Sequence, residues 1–144
     1  MFSPIQNNEY TFHVKVQGEK TKEQYEGTFT VKCILNQEEM VDVALRTDRY
    51  CGGSKNLANQ YILVNRSIAE LEVRIIKDEK TGKMKAPTWW IESDSGRLLY
   101  DTNVVYKVFA DAMKAEEQWY KKLADKVEEA EKQVTEAAQK EASK

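Results

Sequence analysis

From Tyr10 to Gln17 apolar and polar residues alternate strictly, with Tyr10, Phe12, Val14 and Val16 on one side and Thr11, His13, Lys15 and Gln17 on the other. A period of two is that of a strand with one face buried. A polar link beginning at Gly18 leads to a second segment of the same kind. There Phe29, Val31, Cys33 and Leu35 share a face and Thr28, Thr30 and Lys32 point away. Two such strands joined by a short link pair most simply as an antiparallel hairpin, whose apolar face helices must cover.

The period then changes. Asn36 with Glu39 three residues on has capping-box spacing, and Met40, Val43 and Ala44 follow at helical intervals, so a first helix is expected from Asn36 to the Gly52-Gly53 pair. A second helix is expected from near Ser54, with Leu57, Tyr61, Val64 and Ile68 as its stripe. Its continuation, Leu71, Val73 and Ile75 between Glu72 and Arg74, alternates again and predicts a third strand. The charged run EKTGKMK is a turn around Gly82, and Pro87-Thr88-Trp89-Trp90 predicts a short helical turn ending near Gly96.

The last element is the plainest. Asp101 is a suitable N-cap, and from Thr102 to about Lys140 there is neither Gly nor Pro. Val105, Phe109, Ala112, Glu116, Trp119, Leu123, Val127, Ala130, Val134 and Ala137 recur by threes and fours. At about 1.5 Å per residue this helix exceeds 50 Å, more than a small body can cover, so its distal part must project or find a partner. Large side chains end near Leu123, and mostly Ala with occasional Val continues among Glu and Lys. The expected organisation is an α+β domain over 1–123, a small antiparallel sheet of two or three strands under helices, with a charged helical extension over 124–144. The expected core comprises Phe12, Val14, Phe29, Val31, Val64, Ile68, Val73, Val105, Val108 and Phe109.

Length and charge narrow the function classes. A chain of 144 residues buries an adequate core without staples. Its net charge of -2 is spread over interleaved acidic and basic residues, which argues against nucleic acid as a partner. No apolar run approaches the roughly 20 residues of a membrane span, and the first residues lack a basic-then-apolar pattern, so a cytoplasmic location is expected. Cys33 and Cys51 have no partner spacing for a disulfide framework or zinc site. His13, the single histidine, lies on a polar strand face with no nucleophile predicted beside it. The run Lys80-Thr81-Gly82-Lys83 lacks the upstream Gly and the Ser or Thr of a phosphate loop. No catalytic group, metal or cofactor is assigned, and a non-enzymatic, protein-binding role is expected.

Four aromatic residues are the candidate binding positions: Trp89, Trp90, Trp119 and Tyr120. Neighbours diverge by about 100° on a helix, so Trp89 and Trp90 cannot share one environment, and one is expected in the core. Trp119 and Tyr120 lie where the long helix is expected to outrun the body, where exposed aromatics point to an interface. Self-association through this helix is a further option.

The order of features resembles that of the tail assembly chaperones of long-tailed bacteriophages. It runs through Gly27-Thr28-Phe29, a helix ending at Cys51-Gly52-Gly53, Ala69-Glu70-Leu71, Pro87-Thr88-Trp89-Trp90, and Asp101-Thr102-Asn103-Val104-Val105 opening a charged helix with Glu116-Glu117. The similarity covers most of Tyr25 to Leu123. It implies a protein of the host cytoplasm that binds the tape measure protein or tail tube subunits during virion assembly. The rival expectation is a structural component of the particle, a capsid decoration or head-tail connecting protein located in the virion and contacting capsid proteins. A small binder of a host enzyme is a third.

Overall fold

A computed structural model describes Ile5, residues 7–54 and residues 56–142. Its elements follow in the order β1 (Tyr10–Gln17), β2 (Gln24–Val31), α1 (Gln37–Tyr50), α2 (Asn59–Arg74), α3 (Thr88–Glu92) and α4 (Thr102–Ala142). The chain is an α+β protein with a two-stranded antiparallel sheet and a long C-terminal helix. Phe2 lies outside the described residues.

The alternating segments form the hairpin, in a register that pairs Tyr10 with Val31 and Gln17 with Gln24. Phe12, Val14, Phe29 and Val31 are buried on its inner face, and the Phe12 and Phe29 rings stack with centroids 5.5 Å apart. The outer face is a solvent-exposed polar ladder. Thr11 bonds Thr30 at 3.0 Å, and His13 reaches both Thr28 and Glu26. Beyond Val31 the chain runs as irregular coil to α1, although Cys33 stays buried.

The α1 cap is the expected one: Asn36 Oδ1 accepts from the Glu39 N–H and the Glu39 carboxylate accepts from the Asn36 N–H. In α2 the expectation fails at both ends. The helix starts at Asn59 rather than near Ser54, and it continues to Arg74 where a third strand was expected. Ile68, Leu71 and Ile75 are spaced three and four apart, so the alternation of 71, 73 and 75 is accidental to a helical stripe that buries all three. Arg74 fixes the last turn. Buried almost completely, it pairs with Glu70 one turn back and with Glu116 on α4, and donates to the carbonyls of Lys32 and Cys33. Only past this point does the chain become extended. Ile75 bridges Val31, Thr30 exchanges hydrogen bonds with Lys85 and Ile76, and Lys77 faces Met84 across the Gly82 turn.

Helix α4 packs on both α2 and β1, with Val104, Val105, Val108, Ala112 and Ala115 fully enclosed. Small Ala side chains toward the Tyr10 end allow the helix to lie close to the strand. The expected core residues Val64, Val73 and Phe109 are half-buried rather than enclosed.

The helix is aimed by Asp101. Its carboxylate has no exposed surface and accepts from the N–H groups of Lys20 and Thr21 at 2.7 and 3.0 Å, from the Thr21 hydroxyl and from the Tyr25 hydroxyl. Asn103, two residues on, donates to the Gln17 carbonyl and accepts from the Glu19 N–H. The β1–β2 loop is thereby clamped to the start of α4. Gly18 completes the clamp, because a Cβ there would run into the Asp101 carboxylate. Burial alone would push the Asp101 carboxyl up, but the hydrogen bonds from Thr21, Lys20 and Tyr25 outweigh it and hold it below the ordinary carboxylate value. A depressed folded-state value means stability that is present above the unfolded value, near 3.8, and lost as pH falls through the folded one. Asp101→Asn is therefore expected to lower the thermal midpoint at pH 7 and to flatten its fall below about pH 4, as followed by circular dichroism across a pH series.

Candidate protein-binding surface

The four aromatic candidates separate by environment. Trp90 is wholly enclosed, edge-on to Phe29 at 5.6 Å and to Trp89 at 6.1 Å. Gly96, at φ +84°, lies against its ring so closely that a Cβ would collide. Trp90 is the core anchor of the pair and offers no surface to a partner, which removes it from the candidate positions. Trp89 is half-buried and also employed internally: its Nε1 donates to the Glu26 carbonyl at 2.9 Å, and its ring meets Tyr25 and Phe29 edge-on. Together they fasten α3 to β2. The one-turn helix forms because Pro87 opens it and the N–H groups of Trp90 and Ile91 return to the Pro87 carbonyl.

Trp119 and Tyr120 lie at the edge of the body. Trp119 is half-buried against the core, so the body reaches at least this far along α4. It lines a cleft of about 220 Å³ with Tyr10, Cys33, Ala115 and Leu123, to which Glu9, Lys122 and Lys126 contribute charge. Burial pushes the Cys33 thiol up, against the pull of Lys122 and Arg74, so this sulfur is a thiol that packs rather than a nucleophile. From Tyr120 onward every described residue is exposed. Tyr120, Leu123, Val127 and Val134 are 56, 49, 52 and 71% accessible and recur by threes and fours or their sum, so they form one apolar stripe on an otherwise charged rod.

A second apolar surface escaped the sequence reading. Leu35, Met40, Val43, Leu63, Phe109 and Met113 line a groove of about 580 Å³ where α1, α2 and α4 meet, with Arg74 and Glu116 beside them. Met40 and Leu63 are half or more exposed there. The signal was present in Leu63, which lies off the Val64–Ile68 stripe, but periodicity by itself reports only the majority face.

His13 is exposed and hydrogen-bonded to Glu26 at 2.9 Å, and this lowers the Glu26 pKa. Among the described residues no three His, Cys, Asp or Glu side chains are grouped to hold a metal, and no helix is long and apolar enough to cross a membrane. No protein-family model, curated protein or solved structure matches the chain.

Two stability measurements follow from this placement. Trp119→Ala removes a half-buried indole from the body, and urea denaturation is expected to show a loss of about 2 kcal/mol, below the 3–5 kcal/mol of a fully enclosed aromatic. Removing residues 124–142 deletes only exposed side chains. The same titration is expected to register a change within about 0.5 kcal/mol.

Proposed function

We propose that the chain is a non-catalytic protein-binding module that acts in bacteriophage assembly as a tail assembly chaperone. In this role it holds the tape measure protein or tail tube subunits until they are used. The observation that supports binding is the stripe of Tyr120, Leu123, Val127 and Val134, exposed along a helix that continues past the body and begins at the Trp119 cleft. Contiguous apolar surface of this kind marks protein contact sites in soluble chains. The reading as a phage assembly factor is supported by the order of the sequence features from Tyr25 to Leu123.

A holdase of this kind shields apolar, helical surface of a client without chemistry of its own. Large side chains at the base of the rod and small ones towards its tip grade the surface from an anchoring pocket to a sliding face. Charged residues between them keep the free protein dissolved.

Capture of the tagged chain from infected cells, beside the protein inventory of purified particles, tests the proposal. Tape measure or tail tube proteins are expected in the capture and the chain itself is expected to be missing from particles. Changing Leu123 and Val127 together to Ser is expected to reduce client recovery by about tenfold without altering the thermal midpoint. Stoichiometric presence in particles would favour a capsid decoration or head-tail connecting protein instead.

A further inference from the structure

Among the described residues no strand pairs with the outer edge of β1. Thr30 donates to the Lys85 carbonyl at 3.0 Å and accepts from the Ile76 N–H at 2.9 Å, so both of its backbone groups face away from β1. Thr30 lies opposite Thr11. In an antiparallel pair the residue across from an outward-facing one also turns outward, and the orientation alternates along the strand. Thr11, His13, Lys15 and Gln17 therefore aim their N–H and C=O groups away from β2. Two side-chain contacts agree with this phase: Trp89 takes the outward carbonyl of Glu26, opposite Lys15, and Asn103 takes that of Gln17. Among the described residues nothing bonds the backbone groups of Thr11, His13 or Lys15 on that side, and all three residues are exposed.

A strand edge with three free N–H and three free C=O groups is the complement of another extended backbone. This edge also leads to the cleft, since Tyr10 at its start is part of the cleft lining with Cys33, Trp119 and Leu123. We propose that an extended segment of a partner protein adds to β1 as a further strand and places an apolar side chain beside Tyr10 in the cleft. Its inward residues are apolar, its outward ones polar, and an acidic residue at the cleft end meets Lys122 and Lys126, which outnumber Glu9 there.

A second copy of the chain does not suit this edge. Paired strands lie about 4.8 Å apart whereas packed helices need 8–10 Å, and of the two strands α4 packs more on β1 than on β2. Joining β1 to its counterpart would press two α4 helices into one space. Lys15 on each edge adds a charge of the kind that discourages sheet-to-sheet growth. A single segment carrying no helix above it meets neither obstacle.

The inference rests on the reading of the chain as a protein-binding module and not on its assignment to phage assembly. The probe is a labelled peptide of one glutamate followed by alternating leucine and threonine, titrated into the full chain by fluorescence anisotropy and by amide NMR. Saturable binding is expected, with exchange of the Thr11, His13 and Lys15 amides slowed by about tenfold. The same peptide N-methylated at alternate residues, so that it presents no N–H to β1, is expected to bind at least about tenfold more weakly. Trp119→Ala, checked for an intact amide spectrum, is expected to weaken the parent peptide by a similar factor. Equal binding of the methylated peptide, protection that maps to the α1–α2–α4 groove, or no binding up to about 1 mM overturns the proposal. Peptide binding without capture of tail proteins would defeat the assembly role and leave the edge standing. Capture of tail proteins with these amides unprotected would do the reverse.

Discussion

One buried carboxylate sets the geometry of this protein. Asp101 ends the irregular stretch after α3 and opens α4, yet its acceptors are spent on a loop some 80 residues earlier in the chain. A charge without exposed surface is tolerated only when it is fully hydrogen-bonded, and here the loop wraps around it with two backbone N–H groups and two hydroxyls. The hairpin and the helix thus fix each other. From that point α4 runs along β1 towards Tyr10, passes Trp119 at the border of the body and continues into solvent. Arg74 acts in the same way at the opposite end, joining α2, α4 and the chain after β2 through one guanidinium.

What was legible in the sequence is what local periodicity encodes. The strict alternation of Tyr10 to Val16 specified β1 and its buried face, the Asn36 and Glu39 pair specified the start of α1, and the Gly-free, Pro-free run after Asp101 specified α4. The third strand was misread because three residues spaced by two also satisfy part of a helical stripe, and the arbiter was tertiary. Arg74 finds its partners on α4 and at the end of the hairpin, contacts more than 40 residues away in sequence. Asp101 was recognisable as a cap, but nothing local announces that its side chain closes over Gly18. The candidate surface was legible in part for the same reason. Apolar residues beyond Leu123 are too far along a helix to be covered by the body, whereas the burial of Trp90 and Trp119 depends on Gly96 and Tyr10, whose proximity only the fold creates.

The aromatic residues divide between holding and offering. Trp90 and Phe29 centre the core, and Trp89 with Tyr25 closes the lower rim of the hairpin. Trp119 stands at the border, one side packed and the other lining a cleft, and Tyr120 is turned outward. The last fully enclosed residue of the helix is Ala115 and every described residue from Tyr120 is exposed, so Trp119 joins the stability of the body to the shape of the cleft. The α1–α2–α4 groove lies elsewhere on the molecule, so the chain carries two apolar surfaces of different form, one walled by three helices and one beside an open strand.

The 23 residues from Tyr120 to Ala142 extend about 35 Å at the rise of an α-helix, and all of them are exposed. Such a rod is a spacer as well as a surface. A slight tilt where it leaves Trp119 would be magnified along its length. Whatever the rod touches is met at a range of distances from the body, and rigidity at the root is exchanged for reach at the end.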